Sequence, residues 1–429
     1  MEKLLFTTNT ISSKRRCPIT MVSLYLPIVK FILALKLGFS KPQLGHLFTL
    51  VHGIVLCAGR KNITQIQQAA RGDRHLSNTT NFLNHSPWCV NRMQRRRMQF
   101  MIEKIRTKRA KRGVVRPIVF LIVDDTCCKK ETSTKKMEAL SFQYSHEAGK
   151  SVWCHCVVTA HVVSEEASYA WDFRSYFREA YCKEHRLSFK SKNDLALEMI
   201  EAFPAAADEQ VYVLIDSWYT SEKVINACNR KGFHVIAAVK ANRLICIQGV
   251  TISIDEFATR FVRKSDLRSV TVEGQGTYRV YEYEGPLSEM ENVKALLSWK
   301  DDYTDASKPQ VCLLCTDLSL DSVTIQRYYH VRWNIETGYR YFKELLGFDQ
   351  YQLLSFEGIR RFWAIQFLTQ NYLELQRQEW MKSNKHLTLG DVVYRIRQEF
   401  FGQIIVYVYQ QALEKKPLFD ILTHLKLPA

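Results

Sequence analysis

Neither a GxGxxG stretch nor a P-loop occurs in this sequence, so chemistry driven by a bound nucleotide is not expected. Apolar runs are short: residues 26–39 are interrupted by Lys30 and Lys36, and 47–59 fall below the roughly 20 residues that a membrane span needs. The opening MEKLLFTTNTISSKRR lacks the basic stretch, apolar segment and cleavage site of a secretory signal. Repeats and low-complexity tracts are missing too. Only one CxxC occurs, Cys312–Cys315, with no second pair at zinc-site spacing. The 12 cysteines therefore read as reduced and buried, without a disulfide scaffold or structural zinc. Acids are scarce as well: 43 Asp and Glu stand against 60 Lys and Arg, a net charge of +17, which favours a polyanionic partner.

What is present is globular. A hydrophobic fraction of 46% over 429 residues supports a sizeable core and two or three structural units. Residues 20–60 read as two apolar-periodic helices broken near Gly38–Pro42, followed by short helices over 62–70 and 76–85 about a Gly-containing turn. That pair is compatible with helix-turn-helix geometry, although most helix pairs of this length are packing elements. Between Arg92 and Arg116 there are eleven Lys or Arg and one acid, Glu103. This segment, including Arg95, Arg96 and Arg97, reads as a phosphate-tracking stretch, with a flexible linker at 108–113.

The run Ile118–Val123 reads as a buried strand ending at Asp124-Asp125, and Val211–Ile215 repeats the pattern with Asp216 at its tip. Carboxylates at strand tips escape burial and project into a cleft. Residues 151–163 suggest a neighbouring antiparallel strand, 193–203 a helix, and 233–240 a third strand leading to Lys240 and Arg243, which join the candidate phosphate contacts. The alternating, turn-punctuated stretch 244–318 reads as a β-rich insertion that folds on its own. Amphipathic runs beyond 350 suggest closing helices, for packing on the core or on a second protomer.

Residues 325–347 carry the densest chemistry. Read as one helix, Tyr329, Arg332, Glu336, Arg340 and Lys343 share a face, while Tyr328, Val331, Ile335, Phe342 and Leu346 form the apolar side. A lone carboxylate among cations is commonly a solvated ion pair. The spacing Tyr329-x2-Arg332-x3-Glu336-x6-Lys343, however, resembles the signature of DDE transposases of bacterial insertion sequences, the insertion-sequence-four type.

That resemblance implies an α/β, ribonuclease-H-like catalytic core (113–243 and 319–350) interrupted by the insertion (244–318). A helical N-terminal DNA-binding domain with its basic linker (1–112) would precede it and C-terminal helices (351–429) follow. It implies that Asp125, Asp216 and Glu336 hold two Mg²⁺ ions, with Mn²⁺ able to stand in, and that Asp124 is the alternative to Asp125. Tyr329, Arg332 and Lys343 correspond to residues that hold phosphates, and Trp333 to a base-stacking or core residue. Trp299 and Trp218 are alternatives for holding an unpaired base, since the family's strand Trp falls near Cys312. The expected activity is cut-and-paste transposition by a homodimer on double-stranded DNA, in the bacterial cytoplasm. A decayed DNA-binding relative and a ribonuclease-H-like nuclease without strand transfer are the competing readings.

Overall fold

The computed structural model describes residues 25–427 apart from 73, 146–147, 275, 289, 301–306, 382–385 and 426. Helices come first: α1 (Leu26–Ala34), α2 (Lys41–Leu56), α3 (Ile63–Ala70), α4 (Leu76–Asn84) and the long α5 (Val90–Arg112). Ser40 and Gln43 form a capping box at the start of α2, with Pro42 in its first turn. Gly113, at φ 67°, ends α5 in the left-handed conformation that glycine adopts without strain. The stretch 108–113, expected as a flexible linker, is thus helical up to its cap.

The catalytic-type core follows: β1 (Ile118–Lys129), β2 (Ser141–Ser145), β3 (Lys150–Ser164), β4 (Ala167–Tyr176), α6 (Glu179–Glu184), α7 (Lys192–Glu201), β5 (Gln210–Ile215), α8 (Glu222–Arg230) and β6 (His234–Ala238). Its strands lie in the order β4-β3-β1-β5-β6. β3 runs antiparallel to both β4 and β1, and β5 and β6 continue in parallel to β1. This mixed sheet is that of a ribonuclease-H-like fold. β1 runs on to Lys129, so Asp124 and Asp125 lie within the strand and not at its end. What stops at their level is its parallel partner, since β5 ends at Ile215.

The stretch 244–318 is β-rich, and its last strand joins the core sheet. Its elements are β7 (Leu244–Ile247), β8 (Val250–Ser253), α9 (Ile254–Arg260), a short 3₁₀ turn, β9 (Arg268–Val272), β10 (Gly276–Leu287), β11 (Met290–Lys300) and β12 (Val311–Cys315). β12 pairs antiparallel with β6, so the insertion lengthens the core sheet to twelve strands among the described residues. An unpaired edge at β6 would leave its backbone groups without partners, and β12 supplies them.

The signature segment is two helices, α10 (Ser322–His330) and α11 (Trp333–Glu344), and not one. Between them the backbone tightens to i→i−3 bonds, Arg332 N to Tyr329 O at 3.0 Å and Ile335 N to Arg332 O at 3.1 Å. The Asn334 side chain donates to the Val331 carbonyl at 2.8 Å, holding the turn that the helical pattern conceals. α12 (Phe356–Met381) is buried nearly all round. α13 (Leu389–Leu413) and α14 (Leu418–His424) close the chain. One apolar cluster joins α1–α4 to β1, α11 and α12, and Arg361 of α12 donates to the carbonyls of Leu83 and Trp88. Among the described residues α5 contributes to this cluster through Val90 and Met93 and to the one under β1 and β5 through Met101, Ile102 and Ile105.

Candidate active site

Side chains alternate along a strand, so the neighbours Asp124 and Asp125 must serve opposite faces of the sheet. Asp124 follows Ile122 onto the face packed against Ile325 of α10 and Ile335 of α11. Asp125 follows Val123 onto the face packed against α7 and α8. The β1–β5 register pairs Ile122 with Leu214, so two residues further on Asp124 stands level with Asp216. Asp216 Oδ1 accepts the backbone N–H groups of Trp218 at 2.9 Å and Tyr219 at 3.3 Å, which fixes the carboxylate at the strand end.

Glu336 enters from the first turn of α11. The Arg332 guanidinium ties the cluster together, donating to Asp124 Oδ2 at 3.1 Å and to Glu336 Oε1 at 2.6 Å. Burial raises the Asp124 carboxyl to about 7, and the neighbouring charge of Asp216 adds to this while Arg332 opposes it. Burial likewise pushes the Tyr329 hydroxyl, which faces Arg332 and both acids, up to about 12. Tyr329, Arg332 and Glu336 thus converge although the helix expected to carry them is broken. Arg340 is exposed on α11, and half-buried Lys343 lies near the end of β1, where its charge reaches Cys127 and Cys128.

Asp125 has different company. Its carboxylate accepts from Lys192 Nζ at 2.7 Å and from the Tyr219 hydroxyl at 2.8 Å. Asp124 thus shares the bridging guanidinium with Glu336, and Asp125 does not. Lys192 and Tyr219 were not among the expected site residues. Lys192 stood in plain view in Lys190-Ser-Lys192, whereas nothing local distinguishes Tyr219.

A basic and aromatic rim surrounds the acids. Trp218 is 53% exposed, with the ammonium groups of Lys192 and Lys240 each 5.8 Å from its ring centroid. Trp333 is 54% exposed, with Arg332 at 6.0 Å. Trp299 is buried, its N–H on the Ser307 carbonyl, which removes it as a candidate base holder. Arg243 donates to the Thr220 carbonyl at 2.6 Å and Lys240 is exposed.

The α5 arginines divide. Arg95 and Arg96 are exposed, but Arg97 is fully buried, donating to Ala170 O and Asn371 Oδ1, so it cannot reach a phosphate here. Arg106 and Arg109 bind Glu209 at 2.9 and 2.6 Å. Much of the expected phosphate-tracking charge instead fastens α5 to the core.

The donors suit a hard divalent cation, since Asp124, Asp216 and Glu336 offer only oxygens. The Arg332 guanidinium occupies the place between two of them where such a charge would sit, and its buried Nε has no hydrogen-bond partner among the described residues. Among those residues no group of three or more His, Cys, Asp or Glu side chains is close enough as arranged to hold a metal ion. The donor set fits a metal by its chemistry, while in this structure Arg332 is paired with both Asp124 and Glu336. No helix among the described residues is long and apolar enough to cross a membrane.

No curated protein matches the chain. A family model described as DDE superfamily endonuclease does, over residues 38–254. This span includes both aspartate-bearing strands and stops short of Glu336. Such endonucleases typically use divalent metals on DNA. With half of the chain matched and a ribonuclease-H-like sheet that sets two aspartates level, this chain belongs to the DDE superfamily endonucleases.

Proposed function

We propose that this chain is a DDE transposase of the insertion-sequence-four type, which binds the terminal repeats of its own element, cleaves there, and joins the 3′-ends to target DNA. The observation that carries the reading is the sharing of one guanidinium by Asp124 and Glu336, with Asp216 level with Asp124 on the neighbouring strand, from three elements remote in sequence. The Tyr-Arg-Glu-Lys spacing supports the finer assignment.

Asp124, Asp216 and Glu336 would hold two Mg²⁺ ions, or Mn²⁺, with Asp125 as the alternative to Asp124. Bound there, such ions supply Lewis acidity on both sides of a phosphodiester. Arg332, with its planar fork, passes from Glu336 to a phosphate oxygen, and Lys343 and Arg340 offer further positive charge along α11. Tyr329 stays protonated at neutral pH and can donate to the same phosphate. Trp218 and Trp333 present exposed rings on which an unpaired base can stack. Lys240, Arg243, Arg95 and Arg96 extend the basic surface.

A homodimer on DNA is part of this reading. Tyr394, Phe401, Ile405, Tyr409 and Leu413, each more than half exposed, fall within about 120° of one another along α13. We place the protein in the bacterial cytoplasm, at the nucleoid.

The test is incubation of the purified chain with Mg²⁺ and the DNA that flanks its gene. Nicking and joining are expected, and Glu336→Gln should keep end binding while abolishing both. Binding without cleavage by the parent chain would favour a decayed DNA-binding relative, and cleavage without joining a plain nuclease.

A further inference from the structure

Three cysteines meet on the face of the sheet that carries Asp125. Cys127 of β1 is the direct register partner of Cys156 on β3, and Cys154 lies diagonally across from it. Successive odd positions of β1 share a face, so Cys127 lies on the side of Asp125, and the Cys156 thiol opposite it points the same way, donating to Asp125 Oδ2 at 3.4 Å. Cys57, Cys128 and Cys315, by contrast, turn their thiols to backbone carbonyls. Cys127 is half-buried while Cys154 and Cys156 are buried, so Cys127 is the sulfur an oxidant reaches first.

We propose that Cys127 and Cys156 form a reversible disulfide, made when a peroxide oxidises the protein and undone by a dithiol. Directly opposed residues of an antiparallel pair have Cα atoms about 4.5–5.5 Å apart, within the span a disulfide bridges. A diagonal pair stands about 7–8 Å apart, which leaves Cys154 outside it.

The chemistry balances without further reagents. The Cys127 sulfur attacks one peroxide oxygen, the O–O bond breaks, and the departing hydroxide takes the thiol proton and leaves as water. The Cys156 sulfur then attacks the sulfenic sulfur, an S–S bond replaces the S–O bond, and a second water carries off the remaining thiol proton. The two sulfurs lose two electrons and the peroxide gains them. Asp125 loses the Cys156 thiol that now lies 3.4 Å from its Oδ2, keeping Lys192 and Tyr219. Disulfides in chains kept in a reducing compartment are usually transient and redox-sensing, which is the behaviour this pair would show.

None of this depends on DNA cleavage, so the test reads the protein alone. The full chain is treated with hydrogen peroxide, alkylated under denaturing conditions, and mapped by mass spectrometry. Expected are a crosslink between the peptides carrying Cys127 and Cys156, loss of two alkylatable thiols, and recovery of both with dithiothreitol. Cys127→Ser and Cys156→Ser should each abolish the crosslink, and Cys154→Ser should retain it. Three results would overturn the proposal: a crosslink to Cys154 instead, irreversible sulfinic acid at Cys127 with no crosslink, or a tightly held zinc ion that shields the three sulfurs from peroxide.

Discussion

At the scale of single residues, the weightiest distinction lies between two adjacent aspartates of the same chemistry. Asp124 shares Arg332 with Glu336 and faces Asp216, whereas Asp125 is held by Lys192 and Tyr219. In an endonuclease assay, Asp124→Asn should therefore abolish nicking, and Asp125→Asn should lower it about 10–100-fold, as changes behind metal ligands do. The reverse ranking would transfer the ligand role to Asp125. Asp124 also predicts a pH effect on stability. In the unfolded chain its carboxyl titrates near 3.9, and in the folded protein near 7. Between those values the folded state keeps a proton that the unfolded chain releases, so stability falls as pH rises through the window and stays reduced above it. In metal-free buffer at pH 8, Asp124→Asn should melt a few degrees above the parent, at about 2–4 °C per kcal/mol, and the gap should close near pH 4. A variant that melts below the parent at pH 8 would contradict the buried-charge account.

At the scale of elements, the two aspartate strands were legible because an apolar run of strand length bounded by carboxylates has few other readings. The α10–α11 break was not. Its cause is the Asn334 side chain turning back on the Val331 carbonyl, and no periodicity records such a bond. Helix α5 shows the same limit, since charge counting cannot tell an arginine that faces DNA from one that faces the core. Arg97 is wrapped by carbonyls of β4 and by Asn371, so Arg97→Ala should cost about 3 kcal/mol in denaturant unfolding by leaving those acceptors unpaired. Arg95→Ala and Arg96→Ala should leave stability within about 0.5 kcal/mol. Each should also reduce the salt dependence of DNA binding by about one unit of slope. Equal salt slopes in parent and double variant would remove α5 from the DNA surface.

For the whole molecule, the insertion and the N-terminal helices are integrated more closely than a string of domains would be. β12 extends the core sheet past β6, and the α1–α4 helices share a core with α12. The aromatic and aliphatic stripe on α13 is one exposed apolar surface, the one assigned above to the proposed dimer. Ile405→Glu on that stripe should shift the chain from dimer to monomer on paired DNA ends, read by light scattering, with its melting temperature kept because Ile405 is 54% exposed. A DNA-bound dimer that survives this change must be held elsewhere. The amino-acid order alone determined the α/β class, the strands bearing Asp124, Asp125 and Asp216, the basic balance and the Tyr329-to-Lys343 spacing, because these rest on local periodicity and charge. Tertiary structure alone decided which aspartate meets Glu336, which arginine is buried and where the insertion attaches. Each of those depends on sheet register and strand face, set by partners far away in the chain.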